Sequence, residues 1–315
     1  MDFSVLNKVK GDYVISVFGD YIVFHGQDIR IFHISGAFVA RRKDLRNVCK
    51  VAALSENRLI IDCASQGAYI ILSLLDGSEI WRIKFPEMHY AKDHFTVSPD
   101  GSAVYDIICL METFYLHKID LETKKSTTIK LHKELRGIDD VICDKDGVPC
   151  LLASHYETVA GEYISINGVR CVYFDSPNPA DTCDWNAKWH HDFHDIAKFF
   201  WGDSETILTK NLFRYQIETK EKRPLCAEGE DLKQFSPYPI MSPVRCQDGR
   251  HVILVYDNMD VIFDTVSWKI VARYAKNFYH GDLIDNEYWL CTPEGIQRKP
   301  FPCFETIPPI KPIYW

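Results

Sequence analysis

Histidines and carboxylates stand immediately before several apolar runs of this chain, and both side chains are common metal ligands. His94, Asp140, His194 and His280 are the four candidates, and each comes from a different part of the chain. Imidazole and carboxylate together suit a borderline metal such as zinc or manganese. A metal of this kind lowers the pKa of a bound water and generates a hydrolytic nucleophile. These residues define one candidate, a metal-dependent centre, provided that the fold brings them together.

A second candidate is the segment CDWNAKWHHDFHD, in which histidines and tryptophans stand close together. Its histidines are His190, His191 and His194, and Trp185 and Trp189 lie beside them. Imidazoles three or four residues apart share one helical face, as metal sites require, but the glutamate of the HExxH pattern is absent. Tryptophan is enriched at binding hot spots. We therefore predict that these five residues form a partner-binding or ligand-binding surface on a solvated aromatic loop.

Motifs for other chemistry are missing from the sequence. The patterns GxSxG, GxxxxGK[ST] and GxGxxG do not occur, so nothing indicates a serine nucleophile, a phosphate cradle or a nicotinamide site. The stretch Asp144–Gly147 resembles the start of a calcium loop, but it lacks the later glutamate and fits a hairpin turn. The sequence indicates no cofactor, and it favours a non-catalytic function over an enzyme.

Seven acidic turns recur along the chain, and each lies between two short apolar runs. They are Phe18-Gly19-Asp20, Ser55-Glu56-Asn57, Pro99-Asp100-Gly101, Lys145-Asp146-Gly147, Gly202-Asp203-Ser204, Gln247-Asp248-Gly249 and Ile284-Asp285-Asn286. A period of about 40–45 residues with four strands per unit is the signature of a β-propeller blade. We therefore predict an all-β fold, a seven-bladed β-propeller of four-stranded antiparallel blades, in which residues 1–315 form a single domain.

The N-terminal residues are predicted to close the ring of blades. Asp2–Val9 carries an apolar stripe at Phe3, Val5 and Val9, whereas the proline-rich C-terminal residues suit a strand poorly. We predict that residues 2–9 pair as the outer strand of the last blade and so remove the open edges of the ring. Residues 175–195 exceed the repeat and are predicted to be an insertion, and such loops often carry function.

Two segments of the chain resemble the WD40-like β-propellers. Thr96–Ser102, TVSPDGS, is similar to the inner strand and first turn of that family, and Ile119–Lys124, IDLETK, to its third strand and the following turn. The resemblance extends over nearly the whole chain as a period and over about two units as a motif. The Gly-His and Trp-Asp dipeptides of that family are absent, so the chain is a divergent member. The resemblance implies a scaffold that binds other molecules.

Alignment of the units on their acidic turns predicts where the metal-ligand candidates lie. It places His94, Asp140, His194 and His280 at the mouth of the central channel, where the loops into the inner strands converge. Two alternatives follow: a metal-dependent, lactonase-like hydrolase, or a funnel that binds a small polar ligand such as a glycan. We favour a third interpretation, a non-catalytic module that engages a protein or peptide partner through the propeller face carrying residues 175–195.

Composition limits the classes of partner and the cellular compartment that we expect for this protein. The formal net charge is −8 without a long basic run, which argues against a nucleic-acid footprint. The 11 cysteines include no CxxC pair, and we expect all of them to be reduced thiols in a cytoplasmic protein. No apolar stretch reaches the roughly 18 residues of a membrane span, and the N-terminus lacks the signal-peptide pattern. The sequence gives no indication of the oligomeric state.

Overall fold

The computed structural model describes most of the chain. The residues that it describes are 5–11, 13–54, 57–85, 95–110, 113–131, 137–159, 162–172, 174, 185–190, 197–201, 205–209, 212–219, 221–225, 240, 243–276 and 280–307. Their regular secondary structure consists of β-strands and of two 3-10 helices, Leu6–Lys8 and Ala64–Gln66. Within these residues, no helix has the length and apolar character that a membrane crossing requires.

The chain divides into two compact units. The first unit comprises Met1–Phe85 and Cys226–Trp315, and the second comprises Pro86–Leu225. We number the sheets in chain order. The first unit holds sheets 1, 2, 6 and 7, and the second unit holds sheets 3, 4 and 5.

The sheets of the first unit have the following strands. Sheet 1 consists of β1 (Tyr13–Phe18), β2 (Tyr21–Gly26), β3 (Ile29–His33) and β4 (Phe38–Arg42). Sheet 2 consists of β5 (Val48–Leu54), β6 (Arg58–Cys63), β7 (Ala68–Ser73) and β8 (Glu79–Lys84). Sheet 6 consists of β21 (Val244–Arg245), β22 (His251–Val255), β23 (Met259–Asp264) and β24 (Lys269–Ala275). Sheet 7 consists of β25 (Asp282–Ile284), β26 (Glu287–Thr292) and β27 (Gly295–Pro300).

The sheets of the second unit follow the same plan. Sheet 3 consists of β9 (Thr96–Val97), β10 (Ala103–Leu110), β11 (Thr113–Asp120) and β12 (Lys125–Lys130). Sheet 4 consists of β13 (Gly137–Cys143), β14 (Pro149–Val159), β15 (Glu162–Cys171) and β16 (Trp185–His190). Sheet 5 consists of β17 (Ala197–Phe200), β18 (Thr206–Thr209), β19 (Phe213–Gln216) and β20 (Lys222–Pro224).

Every sheet is an antiparallel meander in which consecutive strands are neighbours, as predicted for propeller blades. The predicted number of seven four-stranded blades is wrong for the described residues. Six sheets have four strands, whereas sheet 7 has three. We call the first strand of each sheet its inner strand, and the fourth strand of sheets 1–6 its outer strand.

The acidic turns of sheets 1, 3, 4, 6 and 7 lie where the sequence predicts them, between the first and second strands, and those of sheets 2 and 5 fall wholly or partly outside the described residues. The Oδ1 atom of Asp100 accepts a hydrogen bond from the backbone N–H of Ser102 at 3.0 Å, and Asp248 Oδ1 accepts one from Arg250 at 2.9 Å. Asp and Asn side chains stabilise turns in this way. Gly101 and Gly249 have φ values of 68° and 67°, a region that glycine enters without strain. The acidic repeat is therefore a hairpin signal.

Burial explains the strand composition. The third strand of sheet 6, β23, is buried along its whole length, and β6 is buried at all but its first residue, so both are nearly continuous apolar runs. The outer strand β8 alternates between half-buried and exposed residues, and β12 is exposed at every position but Ile129. Middle strands have sheet on both flanks and side chains packed on both faces, whereas outer strands meet solvent.

The N-terminal segment does not form the strand that was predicted to close the ring. Residues 2–4 lie outside the described residues, and Leu6–Lys8 forms a 3-10 helix instead of the predicted outer strand. Residues three apart share one side of a 3-10 helix, and both Leu6 and Val9 are buried. They join a cluster that contains Ile15 of β1 and Trp289 of β26. The segment therefore links sheets 1 and 7 by side-chain packing.

The segment after β27 pairs with sheet 6. The backbone N–H of Arg273 in β24 donates to the carbonyl of Cys303 at 2.9 Å, and Glu305 N–H donates to the Arg273 carbonyl at 3.0 Å. Phe304 forms a parallel bridge with Arg273. The Glu305 carboxylate accepts hydrogen bonds from Ala275 N–H at 2.8 Å and from Lys299 Nζ at 2.9 Å. The outer edge of β24 is thus covered by an extended segment of the same chain.

The predicted insertion at residues 175–195 is also revised. Its part from Trp185 to His190 is β16, the outer strand of sheet 4, so this part is not a loop. The long hairpin of β14 and β15 extends the unit and moves its fourth strand beyond the expected position. Residues 175–184 and 191–195 lie outside the described residues.

Seven cysteines of the described residues form no disulfide bond. They are Cys63, Cys109, Cys143, Cys150, Cys246, Cys291 and Cys303. Most are buried in apolar sheets, where a thiol behaves as a small hydrophobic group. Burial raises the pKa of Cys143 to about 12, so its thiol stays protonated at neutral pH.

Candidate functional site

Two of the four predicted metal ligands, Asp140 and His280, lie among the described residues. His94, His191 and His194 lie outside the described residues. Asp140 is a residue of β13 in the second unit, and His280 precedes β25 in the first unit. Across the part of the chain that the structure describes, no cluster of three or more histidine, cysteine or acidic side chains is arranged to hold a metal ion.

Asp140 connects two neighbouring inner strands of the second unit. Its side chain is buried at a register shift in β13. The Oδ1 atom accepts a hydrogen bond from Val141 N–H at 2.9 Å, and Oδ2 accepts one from Phe200 N–H in β17 at 2.9 Å. Each carboxylate oxygen is therefore engaged by a backbone amide, and the side chain joins sheet 4 to sheet 5.

Asp282 repeats this arrangement in the first unit. Its Oδ1 atom accepts a hydrogen bond from Leu283 N–H at 2.8 Å, and its Oδ2 atom accepts one from Val17 N–H in β1 at 3.1 Å. Burial raises the pKa of Asp282 to about 7, and the two amide donors oppose that rise. The carboxyl group joins the inner strand of sheet 7 to that of sheet 1, which lies far away in the sequence.

Because two inner-strand aspartates make the same pair of bonds, the arrangement is a recurrent device of this fold. We call it the aspartate latch, defined by Asp140 and Asp282. A carboxylate accepts charge-assisted hydrogen bonds that are about twice as strong as neutral ones. The latch therefore satisfies backbone N–H groups that the inner strands present to the next sheet. One of the two residues, Asp140, is among those that the sequence predicts to bind a metal ion.

A larger buried polar cluster lies in sheets 6 and 7. Asp260 and Lys276 have fully buried side chains, and Lys276 Nζ lies 3.2 Å from Asp260 Oδ1. The Tyr288 hydroxyl donates to Asp260 Oδ2 at 2.5 Å, and Gly281 N–H donates to the same oxygen at 3.0 Å. The Tyr288 ring stacks on Tyr274 with 4.1 Å between the ring centroids. Burial followed by the Asp260 charge raises the pKa of Tyr288 well above its ordinary value.

Glycine is required within this polar cluster. An added Cβ at Gly281 would lie 2.0 Å from the Trp289 carbonyl oxygen and 2.8 Å from a ring carbon of Tyr288. The absence of a side chain lets the Gly281 N–H reach both the Asp260 carboxylate and the Tyr288 hydroxyl oxygen, at 3.0 and 3.1 Å. The close approach places Gly281, which directly precedes β25, against Tyr288 and Trp289 of β26.

His280 lies beside the same cluster and is buried. Because a carbonyl only accepts, His280 Nδ1 donates to the Gly281 carbonyl at 3.1 Å. Burial lowers the pKa of His280, Lys276 lowers it further, and Asp260 opposes the change. His25, at the end of β2, has its pKa lowered to about 3 by burial and by His280. Both imidazoles are therefore neutral at physiological pH.

The predicted binding residues Trp185, Trp189 and His190 belong to the outer strand of sheet 4. Trp189 is in register with Asn167 of β15, and Trp185 with Arg170, with a register shift in between. In the described residues β16 pairs on one side, with β15. The other side of β16 is a sheet edge, which presents backbone N–H and C=O groups to a potential partner.

Sequence reasoning missed Asp260, Lys276 and Tyr288 as a group. The available signal is Asp260 itself, which interrupts the apolar run of β23. A carboxylate in such a run is costly unless it is paired and hydrogen-bonded, so it predicts a buried partner. Lys276 and Tyr288 could not be chosen as those partners, because they are distant in sequence and meet only through the packing of sheets 6 and 7.

Comparison with known proteins supports the fold. No protein-family model matches the chain, and no curated protein matches it. The chain is similar to the solved β-propeller domain of Cps50 (Swd1) from Myceliophteria thermophila, with a TM-score of 0.57 and 12% identity over 92% of this chain and 98% of that one. It is more remotely similar to hydrazine synthase from Kuenenia stuttgartiensis, with a TM-score of 0.48 and 9% identity over 84% of this chain and 83% of that one. The first similarity shows an all-β β-propeller with four-stranded antiparallel blades.

Proposed function

We propose that this protein is a non-catalytic binding module, a divergent WD40-like propeller that engages a protein or peptide partner. The binding surface includes Trp185, Trp189 and His190 in β16, together with the neighbouring His191 and His194. Propellers are scaffolds whose function is defined by sites on their surface. The proposal therefore concerns the surface of sheet 4, and the catalytic function that the sequence leaves open is the competing hypothesis.

The aspartate latch is the observation that carries this proposal. A metal-dependent hydrolase at a channel mouth needs carboxylates that are directed towards a metal and its water. Both oxygens of Asp140 and of Asp282 instead accept backbone N–H groups from their own and the neighbouring inner strand. His280 likewise donates its Nδ1 proton to a backbone carbonyl. These roles stabilise the fold and favour a scaffold over a hydrolytic centre.

The position of the tryptophans favours a macromolecular partner. β16 is an outer strand, and an extended peptide can add to a free strand edge through main-chain hydrogen bonds. Tryptophan supplies a large contact area with little conformational entropy and dominates many protein interfaces. A peptide that pairs along β16 would therefore gain affinity from the edge and specificity from Trp185 and Trp189.

Truncation of the tryptophans tests the proposal. We expect Trp185→Ala or Trp189→Ala to weaken a partner isolated from native lysate by about 30-fold, because loss of an aromatic anchor costs about 2 kcal/mol and each 1.4 kcal/mol is about tenfold. Calorimetric titration of the purified partner gives the dissociation constants. Phe38→Ala is the matched control, because Phe38 is an exposed aromatic residue on the outer strand β4.

Two results would overturn the proposal. One is an affinity that neither tryptophan variant changes, which would place the binding surface elsewhere. The other is a stoichiometric metal in the purified protein that both His194→Ala and His280→Ala abolish and the tryptophan variants retain. That pattern would support the metal-dependent hydrolase instead.

A further inference from the structure

The charged side chains in the outer strands of this acidic protein are basic, with one exception. The chain has 36 Lys and Arg residues against 44 Asp and Glu residues. Among the residues of the six outer strands, Glu79 is the single acidic side chain. Their basic residues are Arg41, Arg42, Arg82, Lys84, Lys125, Lys130, Lys188, Lys222, Arg223, Lys269 and Arg273. Charged side chains, lysine in particular, deter pairing between copies, and an edge that carries one sign of charge remains suited to a segment of the opposite sign.

Carboxylates of the same fold neutralise several of these cations. Arg41 pairs with Asp28 in sheet 1, and Arg82 pairs with Glu79 in sheet 2. Arg223 pairs with Glu221, which precedes β20. Each of these arginines has its charge balanced by a nearby carboxylate of the same chain. They therefore contribute little to the attraction of an anionic partner.

β12 carries two basic residues and no acidic one. Its two charged residues, Lys125 and Lys130, are exposed, and neither has a carboxylate within salt-bridge distance in the described part of the chain. Asp120 is opposite Lys125 in register, but its Oδ1 atom accepts hydrogen bonds from the N–H and the hydroxyl of Thr123, both at 2.7 Å. The strand between the lysines is Ser126-Thr127-Thr128-Ile129, which is polar and rich in β-branched residues.

In the described residues, β12 pairs with β11 along one side only. Its register with β11 determines which backbone groups point to the unpaired side. Leu131 N–H donates to the Phe114 carbonyl at 2.9 Å, so position 131 bonds inward to β11. Antiparallel bonding alternates from residue to residue. The N–H and C=O groups of Ser126, Thr128 and Lys130 therefore point away from β11. In the described residues, β12 is the last strand of sheet 3, so these groups are not part of a ladder.

The same protein shows how such an edge is used. On β24, another basic outer strand, the extended residues Cys303–Glu305 bond to both backbone groups of Arg273, at 2.9 and 3.0 Å. The Glu305 carboxylate accepts the next free N–H, that of Ala275, and also contacts Lys299. An extended segment with a carboxylate therefore completes a basic outer strand. Among the described residues no segment covers the edge of β12, which presents the same kind of backbone groups.

We propose that an extended, acidic segment of a partner protein adds as a strand to the free edge of β12. Its backbone bonds to Ser126, Thr128 and Lys130, and carboxylates near its two ends meet Lys125 and Lys130. This inference rests on the proposed binding function and adds the chemical class of the partner. Main-chain bonds supply affinity in strand addition, and complementary charge directs the encounter and fixes the register.

A peptide titration tests the inference. The probe is a short Thr-rich peptide with two Glu residues five positions apart, which lie on opposite faces of a strand as Lys125 and Lys130 do, titrated into the intact protein by calorimetry. We expect it to bind, and we expect a peptide of the same charge with N-methylated Thr amides to lose binding, because it cannot form the ladder. Thr128→Pro should abolish binding, since it removes an outward N–H but no bond to β11. Lys125→Glu with Lys130→Glu should weaken binding at least about tenfold, because two attractive pairs become repulsive.

The controls separate this inference from the proposed function. Lys269→Glu reverses one charge on β24, whose edge is covered at Arg273 and Ala275, and should leave the dissociation constant unchanged. Equal binding of the N-methylated peptide, or binding that survives Thr128→Pro, would overturn strand addition. Binding of single-stranded oligothymidylate, but not of the peptide, through Lys125 and Lys130 would overturn the acidic peptide as the ligand class. Failure of the peptide while the tryptophan variants still weaken the isolated partner would reject this inference alone.

Discussion

Replacement of Asp260 by asparagine is expected to lower the free energy of unfolding by about 3–5 kcal/mol, the usual cost of breaking a buried ion pair. The variant leaves the Lys276 ammonium buried without a counter-charge. It also places an NH₂ group where the carboxylate accepts bonds from Tyr288 OH and Gly281 N–H. Urea denaturation of the purified variant measures the change, and the Tyr288 contact makes near-ultraviolet circular dichroism a second readout.

Two control variants test whether the loss of stability in Asp260→Asn comes from the buried ion pair. Asp257→Asn changes an exposed carboxylate in the loop before β23 and should alter stability by less than about 0.5 kcal/mol. Asp260→Asn combined with Lys276→Met removes both charges and should cost less than the sum of the single variants. If Asp260→Asn is as stable as wild type, the buried ion pair does not stabilise the junction of sheets 6 and 7.

Truncation of Leu6 to alanine is expected to destabilise the protein by about 2–5 kcal/mol, as for other buried leucines. Leu6 is fully buried in the cluster that joins sheet 1 to sheet 7, where it packs with Trp289. Thermal denaturation followed by circular dichroism measures the loss. Removal of residues 2–9, which deletes both Leu6 and Val9, should have a larger effect and expose apolar surface that promotes aggregation.

Lys8→Ala is the matched control for Leu6, because Lys8 lies in the same 3-10 helix and is exposed. It should leave the melting temperature within about a degree or two, as for most surface changes. A Leu6→Ala protein that melts with the wild type would show that the N-terminal segment does not hold sheets 1 and 7 together.

Hairpin signals made most of the fold predictable from the sequence. An acidic turn precedes β6 and another precedes β10, and the apolar runs predicted to follow these turns are the strands that are found, Arg58–Cys63 and Ala103–Leu110. The period was misleading at β16, because the β14–β15 hairpin is long and displaces the fourth strand into the predicted insertion. The N-terminal closure was missed because an apolar stripe over few residues fits a strand, whereas the three-residue spacing of Leu6 and Val9 fits a 3-10 turn.

The candidate site was less accessible to sequence reasoning than the fold. A histidine or aspartate before an apolar run predicts a position near the start of an inner strand, as found for Asp140 and Asp282. It does not predict the direction of the side chain, and both carboxylates face neighbouring backbone amides. The predominance of basic residues in the outer strands could not be predicted for another reason. These residues are spread along the chain, and they are recognised as a group only when the fourth strand of each sheet is known.

Hydrogen–deuterium exchange of the protein with and without its purified partner tests the central claim most directly. The claim is that a partner docks on outer strands of the second unit. The account predicts slower exchange at 125–130 and 185–190 in the complex, because strand addition protects outward N–H groups at these edges. Protection confined to 139–141 and 280–283, around the aspartate latch, with unchanged exchange at both outer strands would contradict it.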